Sequence, residues 1–161
     1  MRWFVNKSEV KRWELSITKI MAMFFGISHL LAVLFWPQPN IIFIIIGLLL
    51  FLFGELLFLS TVYLFKDSPP AIAFSNTIIT DLKTEGPYKF VRHPIYTSYL
   101  LAWIGGTIGS GCWPLILSAI VMYFIYRRAA NEEEAQWLNS KDHTAYITYQ
   151  RNTGMFFPKL F

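Results

Sequence analysis

Residues 41–53 contain no polar side chain, and the apolar run that they begin continues to residue 65. A helix needs roughly 20 mainly apolar residues to cross the hydrocarbon of a bilayer. A second run, 13–36, meets that length with Glu14, Lys19 and His29 as its only ionisable residues. It ends at Trp36-Pro37-Gln38-Pro39-Asn40, where two close prolines stop a helix and the tryptophan suits an interface. No water-soluble fold of this size has use for two such segments. The expectation is an all-α, polytopic membrane bundle.

Composition agrees. Of 161 residues, 55% are hydrophobic and only 15% charged, against about a quarter charged in a soluble domain. The chain is long enough for a single domain. Its charges cluster at the N-terminus, in 66–92 and after Tyr126, leaving the stretches between almost uncharged. The net charge of +4 and pI near 9.2 are therefore assigned to membrane topology and anionic lipid, with no nucleic-acid partner expected. Cys112 is the lone cysteine, so no internal disulfide forms. The first apolar run lacks a small-residue cleavage site and reads as a retained helix.

Two shorter apolar segments follow, 95–110 and 113–127, joined by Gly109-Ser110-Gly111-Cys112-Trp113-Pro114 as a helical hairpin. The last is expected to continue beyond the membrane as helix through Leu138. Apart from Lys19, lysines and arginines occur before the first segment, in the loop 66–93 and from Arg127 onward; the turns 37–40 and 109–114 have none. Four spans with both ends and the long loop in the cytoplasm satisfy this pattern. In a prokaryote the membrane would be the inner one. Gly105, Gly106, Gly109 and Gly111 permit close helix packing, within one chain or between two.

The string Gly86-Pro87-Tyr88-Lys89-Phe90-Val91-Arg92-His93-Pro94-Ile95-Tyr96 lies where the long loop enters the third helix. Gly86-Pro87 is turn chemistry and Pro94 suits a first helical turn. The helix start offers free N–H groups and a positive dipole end beside Arg92 and His93, and Tyr96 shares a face with His93. Such a place holds a polar or anionic ligand group, or serves as a basic, aromatic interfacial anchor.

This string resembles the signature of the isoprenylcysteine carboxyl methyltransferase family and its phospholipid methyltransferase relatives. A second block extends the resemblance: Arg128, then Glu132 and Glu133, then Tyr146 and Tyr149, then Phe156-Phe157-Pro158. Together the blocks cover residues 80–158. Ser98 and Asp142-His143 stand where the family usually has glycine and Phe-Gly. The resemblance implies a membrane methyltransferase that uses S-adenosylmethionine, in a pocket closed by the C-terminal segment, on a lipophilic or lipid-anchored substrate. It implies cofactor contacts at Thr80, Asp81, Leu82, Lys83, Tyr88, His93, Pro94, Ile95, Tyr96 and one acidic residue of 132–134, with Glu133 the first choice. It implies a substrate-facing Arg128, a catalytic set of Arg128, Glu132 and Glu133, and no metal.

The chemistry asks little beyond alignment and exclusion of water. A carboxylate acceptor needs no base, and Arg128 would hold it through a planar fork; an amine would need a base such as His93 or a glutamate. Taken alone, Arg128 and Glu132 read as an i, i+4 ion pair on a solvated helix. A membrane sterol reductase using NADPH and a non-enzymatic scaffold are the competing readings. His29 and Glu55 lie inside the apolar runs, where each needs a partner; they are expected to face each other, or Glu55 to meet the rim of the site.

Overall fold

The computed structural model describes residues 12–65 and 82–159, with side chains from residue 16. Five helices make up the described residues: α1 (Arg12–Phe35), α2 (Ile41–Tyr63), α3 (Pro94–Ser110), α4 (Ile116–Leu138) and α5 (His143–Asn152). Short 3₁₀ turns at Gly86–Lys89 and Trp113–Leu115 precede α3 and α4.

The ends of these helices follow from local chemistry. Pro37 and Pro39 lie between α1 and α2, and the Asn40 side chain accepts a hydrogen bond from the Ile42 N–H at 3.0 Å, capping α2. Pro94 occupies the first turn of α3. Gly111 ends it with φ +65, a left-handed conformation open to glycine. The fourth segment is one continuous helix to Leu138, as expected from sequence.

Helices α2 and α3 pack most closely. A Cβ at Gly47 would lie 2.5 Å from the Gly109 Cα, so the backbones meet where both sides lack side chains. The glycines thus serve packing within the chain. Gly106 likewise makes room for the His29 ring of α1. Helix α1 packs on α3 and α4. A core of Phe25, Tyr96, Leu100, Met122, Tyr126 and Phe156 gathers α1, α3, α4 and the tail.

Segments Ser16–Phe35 and Ile41–Tyr63 are long and apolar enough to cross a membrane, and only 11% of the apolar 18-residue stretch in each is buried. A soluble core helix would be mostly buried. Here Phe35, Leu34, Ile41 and Leu48 are exposed, which in water would forfeit their transfer energy. The chain is a membrane protein.

The expected contact between His29 and Glu55 does not form. His29 Nδ1 faces the Phe25 carbonyl at 2.9 Å and Nε2 faces Thr107 Oγ1 at 3.4 Å. It is a satisfied packing group on the α3 side of α1. Glu55 is exposed one residue after Gly54, which abuts Ser98 and Leu101; the helical step turns it away from that contact.

Candidate active site

The loop into α3 is pinned by the tail. Gly154 O accepts the Arg92 N–H at 2.8 Å, and Met155 O accepts the His93 N–H at 3.1 Å. The Thr97 hydroxyl donates to the Phe156 carbonyl at 3.0 Å, and the Tyr149 hydroxyl to the Tyr88 carbonyl at 2.7 Å. Residues 88–97 and 149–156 are thereby one unit, although far apart in sequence.

Helix α4 completes it. Glu134 accepts from Arg92 Nε at 2.9 Å and from Gln150 Nε2 at 2.7 Å, and meets His93 Nε2 at 3.0 Å. Glu133 meets His93 Nδ1 at 3.4 Å and accepts from the Tyr96 hydroxyl at 2.5 Å. Arg92 also donates to the carbonyls of Gln150 and Thr153. Arg92 and His93 thus face two carboxylates.

The electrostatics follow. Burial disfavours a charged His93, but its hydrogen bonds to Glu133 and Glu134 and their charges outweigh burial and raise its pKa above 6.5. Burial raises the Glu134 pKa, yet the hydrogen bonds from His93 and Arg92 and their charges prevail and hold it at about 2. Burial and then the nearby Glu133 charge push the Tyr88 phenol well above its usual range.

A pocket opens beside this cluster. Leu82, Lys83, Tyr88, His93, Pro94, Ile95, Tyr96 and Glu133 all line it. These are the sequence-derived cofactor contacts other than Thr80 and Asp81, which lie outside the described residues. Phe65, Trp137 and Arg92 join them, with Tyr146 and Tyr149 of the second block. Trp137 stacks on Tyr146 with ring centroids 5.9 Å apart, and Phe65 meets Tyr88 edge-on at 6.1 Å. Trp137 was readable as sharing a helix face with Glu133, four residues before it. Phe65 carried no signal, since its place depends on where α2 ends against the loop.

The three neighbouring glutamates part company. Glu134 has 6% of its side chain exposed and is spent on Arg92, His93 and Gln150, while Glu133 keeps 32% and lines the pocket. Glu132 points elsewhere, paired with Arg128 at 3.2 Å with side chains 55% and 64% exposed. The structure does not bring Arg128 and Glu132 to this pocket. With Phe124, Arg127 and Asn131 they border a separate hollow on α4.

Phe124 also borders a larger apolar groove of about 770 Å³ between α2, α3 and α4, floored by Leu100, Leu101 and Ile104. Residues 87–97 partition the two cavities. Tyr88, His93 and Tyr96 face the pocket, whereas Phe90, Val91 and Thr97 face the groove. Among the described residues no cluster of His, Cys, Asp or Glu has the makings of a metal site.

Comparison with known proteins adds three findings. The sequence profile described as phospholipid methyltransferase matches residues 42–141, more than half of the chain. The nickel-cobalt-cadmium resistance protein NccN of Alcaligenes xylosoxydans xylosoxydans is 31% identical over 91 residues, which are 56% of this chain and 42% of NccN. The similarity therefore spans less than half of that relative. No solved structure matches.

Proposed function

The chain belongs to the phospholipid methyltransferase family, and from that premise we propose that it transfers a methyl group from S-adenosylmethionine to a lipophilic or lipid-anchored acceptor in the membrane. The observation that carries the reading is the convergence of Lys83, Tyr88, His93, Tyr96 and Glu133 on one pocket beside an apolar groove.

The donor set fits the cofactor. Glu133 suits its ammonium group, Lys83 its carboxylate, and Trp137, Tyr146 and Tyr149 a flat base. Electron-rich faces of Tyr88 and Tyr96 suit a sulfonium. Thr80 and Asp81 keep their assignment as cofactor contacts. The described residues enclose about 80 Å³, less than a nucleoside fills, so binding requires the aromatic side chains to part.

The cofactor supplies an electrophilic methyl group, and the protein's share is orientation and exclusion of water. Residues 87–97 place the groove one side-chain layer from the pocket, so a long apolar tail would rest in the groove while its reactive end turns toward Tyr96. His93 has a carboxylate at each ring nitrogen, so neither nitrogen is free to take a proton from the acceptor. A carboxylate acceptor needs none; an amine would pass its proton to Glu133 or to water. Arg128, at the hollow next to the groove, is assigned to the acceptor's polar group, with Glu132 as its ion-pair partner.

The proposed topology is four spans, α1 to α4, with both termini, the long loop and the pocket on the cytoplasmic side. This places Lys83, Lys89, Arg92, Arg127 and Arg128 where positive charge is favoured. Binding of S-adenosylmethionine and S-adenosylhomocysteine to detergent-purified protein tests the reading, with NADPH in parallel. Saturable binding lost in His93→Ala is the expected result. Binding of NADPH alone by folded protein would replace this reading with the reductase one.

A further inference from the structure

Helix α2 has Glu55 in its exposed outer surface, amid Leu48, Leu52, Leu56 and Leu59. Eight residues separate it from Tyr63, about 12 Å along the helix at 1.5 Å per residue. With the end of α2 at the interface, as the proposed topology has it, a glutamate side chain is too short to reach water from there. Among the described residues nothing hydrogen-bonds or pairs with it. Lipid tails offer no donor, and ionisable groups within the hydrocarbon pair with something.

A complementary charge sits on α1. Lys19 is exposed, also without a partner among the described residues. It lies seven residues from Arg12, about 10 Å along α1. Phe25 meets Trp103 and His29 meets Thr107, so α1 runs parallel to α3, whereas Gly47 meets Gly109 and Gly54 meets Ser98, so α2 runs against it; the start of α1 and the end of α2 therefore lie toward the same side. The backbones at Lys19 and Glu55 therefore lie at similar depth, on different helices. Within the chain no ion pair joins them, since α1 packs on α3 and α4 and α2 packs on α3.

We infer that a second copy of this chain covers the outer faces of α1 and α2, with Lys19 of each copy set against Glu55 of the other. A two-fold pairing satisfies both charges in both chains, because each copy presents one of each sign. The surrounding surface suits it, for Ile20, Leu52, Leu56 and Leu59 are all exposed. The inference rests on the membrane helices alone and stands apart from methyl transfer.

The test is the mass of the purified chain in mild detergent, by native mass spectrometry. Wild type should run at twice 18.8 kDa. Lys19→Glu and Glu55→Lys each set like charges against one another at both contacts, and each alone should weaken dimerisation at least about tenfold. Mixed in equal amounts with different tags, the two variants present opposite charges at both contacts again. Dimers should return, and only as mixed pairs. An ion pair within one chain would give no rescue on mixing. Monomeric wild type, dimeric single variants, or no rescue would each overturn the inference. Where Glu55→Lys fails to insert, Glu55→Gln replaces it: it keeps the shape, removes the charge, and should still weaken the dimer.

Discussion

Arg92 and Glu134 stand 42 residues apart in sequence and meet at 2.9 Å, with side chains 9% and 6% exposed. Through this pair the loop into α3, the end of α4 and the tail are one structure, since the same guanidinium binds the carbonyls of Gln150 and Thr153. Removing one partner takes from the other its main buried counter-charge, at a cost of up to about 3–5 kcal/mol. Arg92→Ala and Glu134→Ala should each lower thermal stability in detergent by that order. Arg92→Met with Glu134→Leu should cost less than the two single losses added, because neither charge is left behind. Additive losses would show that the two residues act separately.

The same cluster sets a pH window. The Glu134 pKa falls from 4.5 to about 2 on folding, so its stabilising share is full above 4.5 and is lost as pH drops toward 2. His93 is shifted the other way. Its share is full below 6.5 and is lost as pH rises through its raised pKa. Stability should therefore be greatest between about pH 4.5 and 6.5 and decline on the alkaline side through His93. Unfolding midpoints across pH should show that alkaline decline in wild type and a weaker one in His93→Gln.

The proposed division among the glutamates gives a sharper test of function. Glu133→Gln removes the pocket's half-exposed carboxylate and should weaken S-adenosylmethionine binding about tenfold, the equivalent of 1.4 kcal/mol. Glu132→Gln should leave that binding within about twofold, since its partner is the exposed Arg128. Titrations of both variants against the same ligand decide it. Equal effects would remove the distinction.

Arg128→Lys should spare cofactor binding, because Arg128 lies outside the pocket. Turnover should fall with an acceptor whose anionic group needs the planar fork. Unchanged turnover on the true acceptor would remove the assigned role.

Gly47→Leu should separate α2 from α3. Even a Cβ at Gly47 would sit 2.5 Å from backbone atoms of Gly109, and overpacking of this kind costs about 1–3 kcal/mol or more. Gly26→Leu is the control, since nothing lies within 4 Å of a Cβ there. Loss of monodispersity in the first variant and not the second is the expected result.

Much of this was legible in sequence because it is local. Apolar runs of bilayer length, paired prolines, Asn40, Pro94 and Gly111 mark helices and their ends through short-range chemistry, and the string from Gly86 to Tyr96 marks one wall of the pocket. The tertiary structure decided what depends on helix rotation and distant contact. Glu132, Glu133 and Glu134 differ by roughly 100° each around α4, and only its packing against α3 and α5 turns the second toward the pocket, the third into Arg92 and the first away with Arg128. The same holds for His29, which found Thr107 rather than Glu55, and for Phe65, whose place follows from the approach of α2 to the loop. Sequence lists the charges; the rotation of packed helices chooses their partners, because a side chain's neighbours are set by the face it occupies and not by its position in the chain.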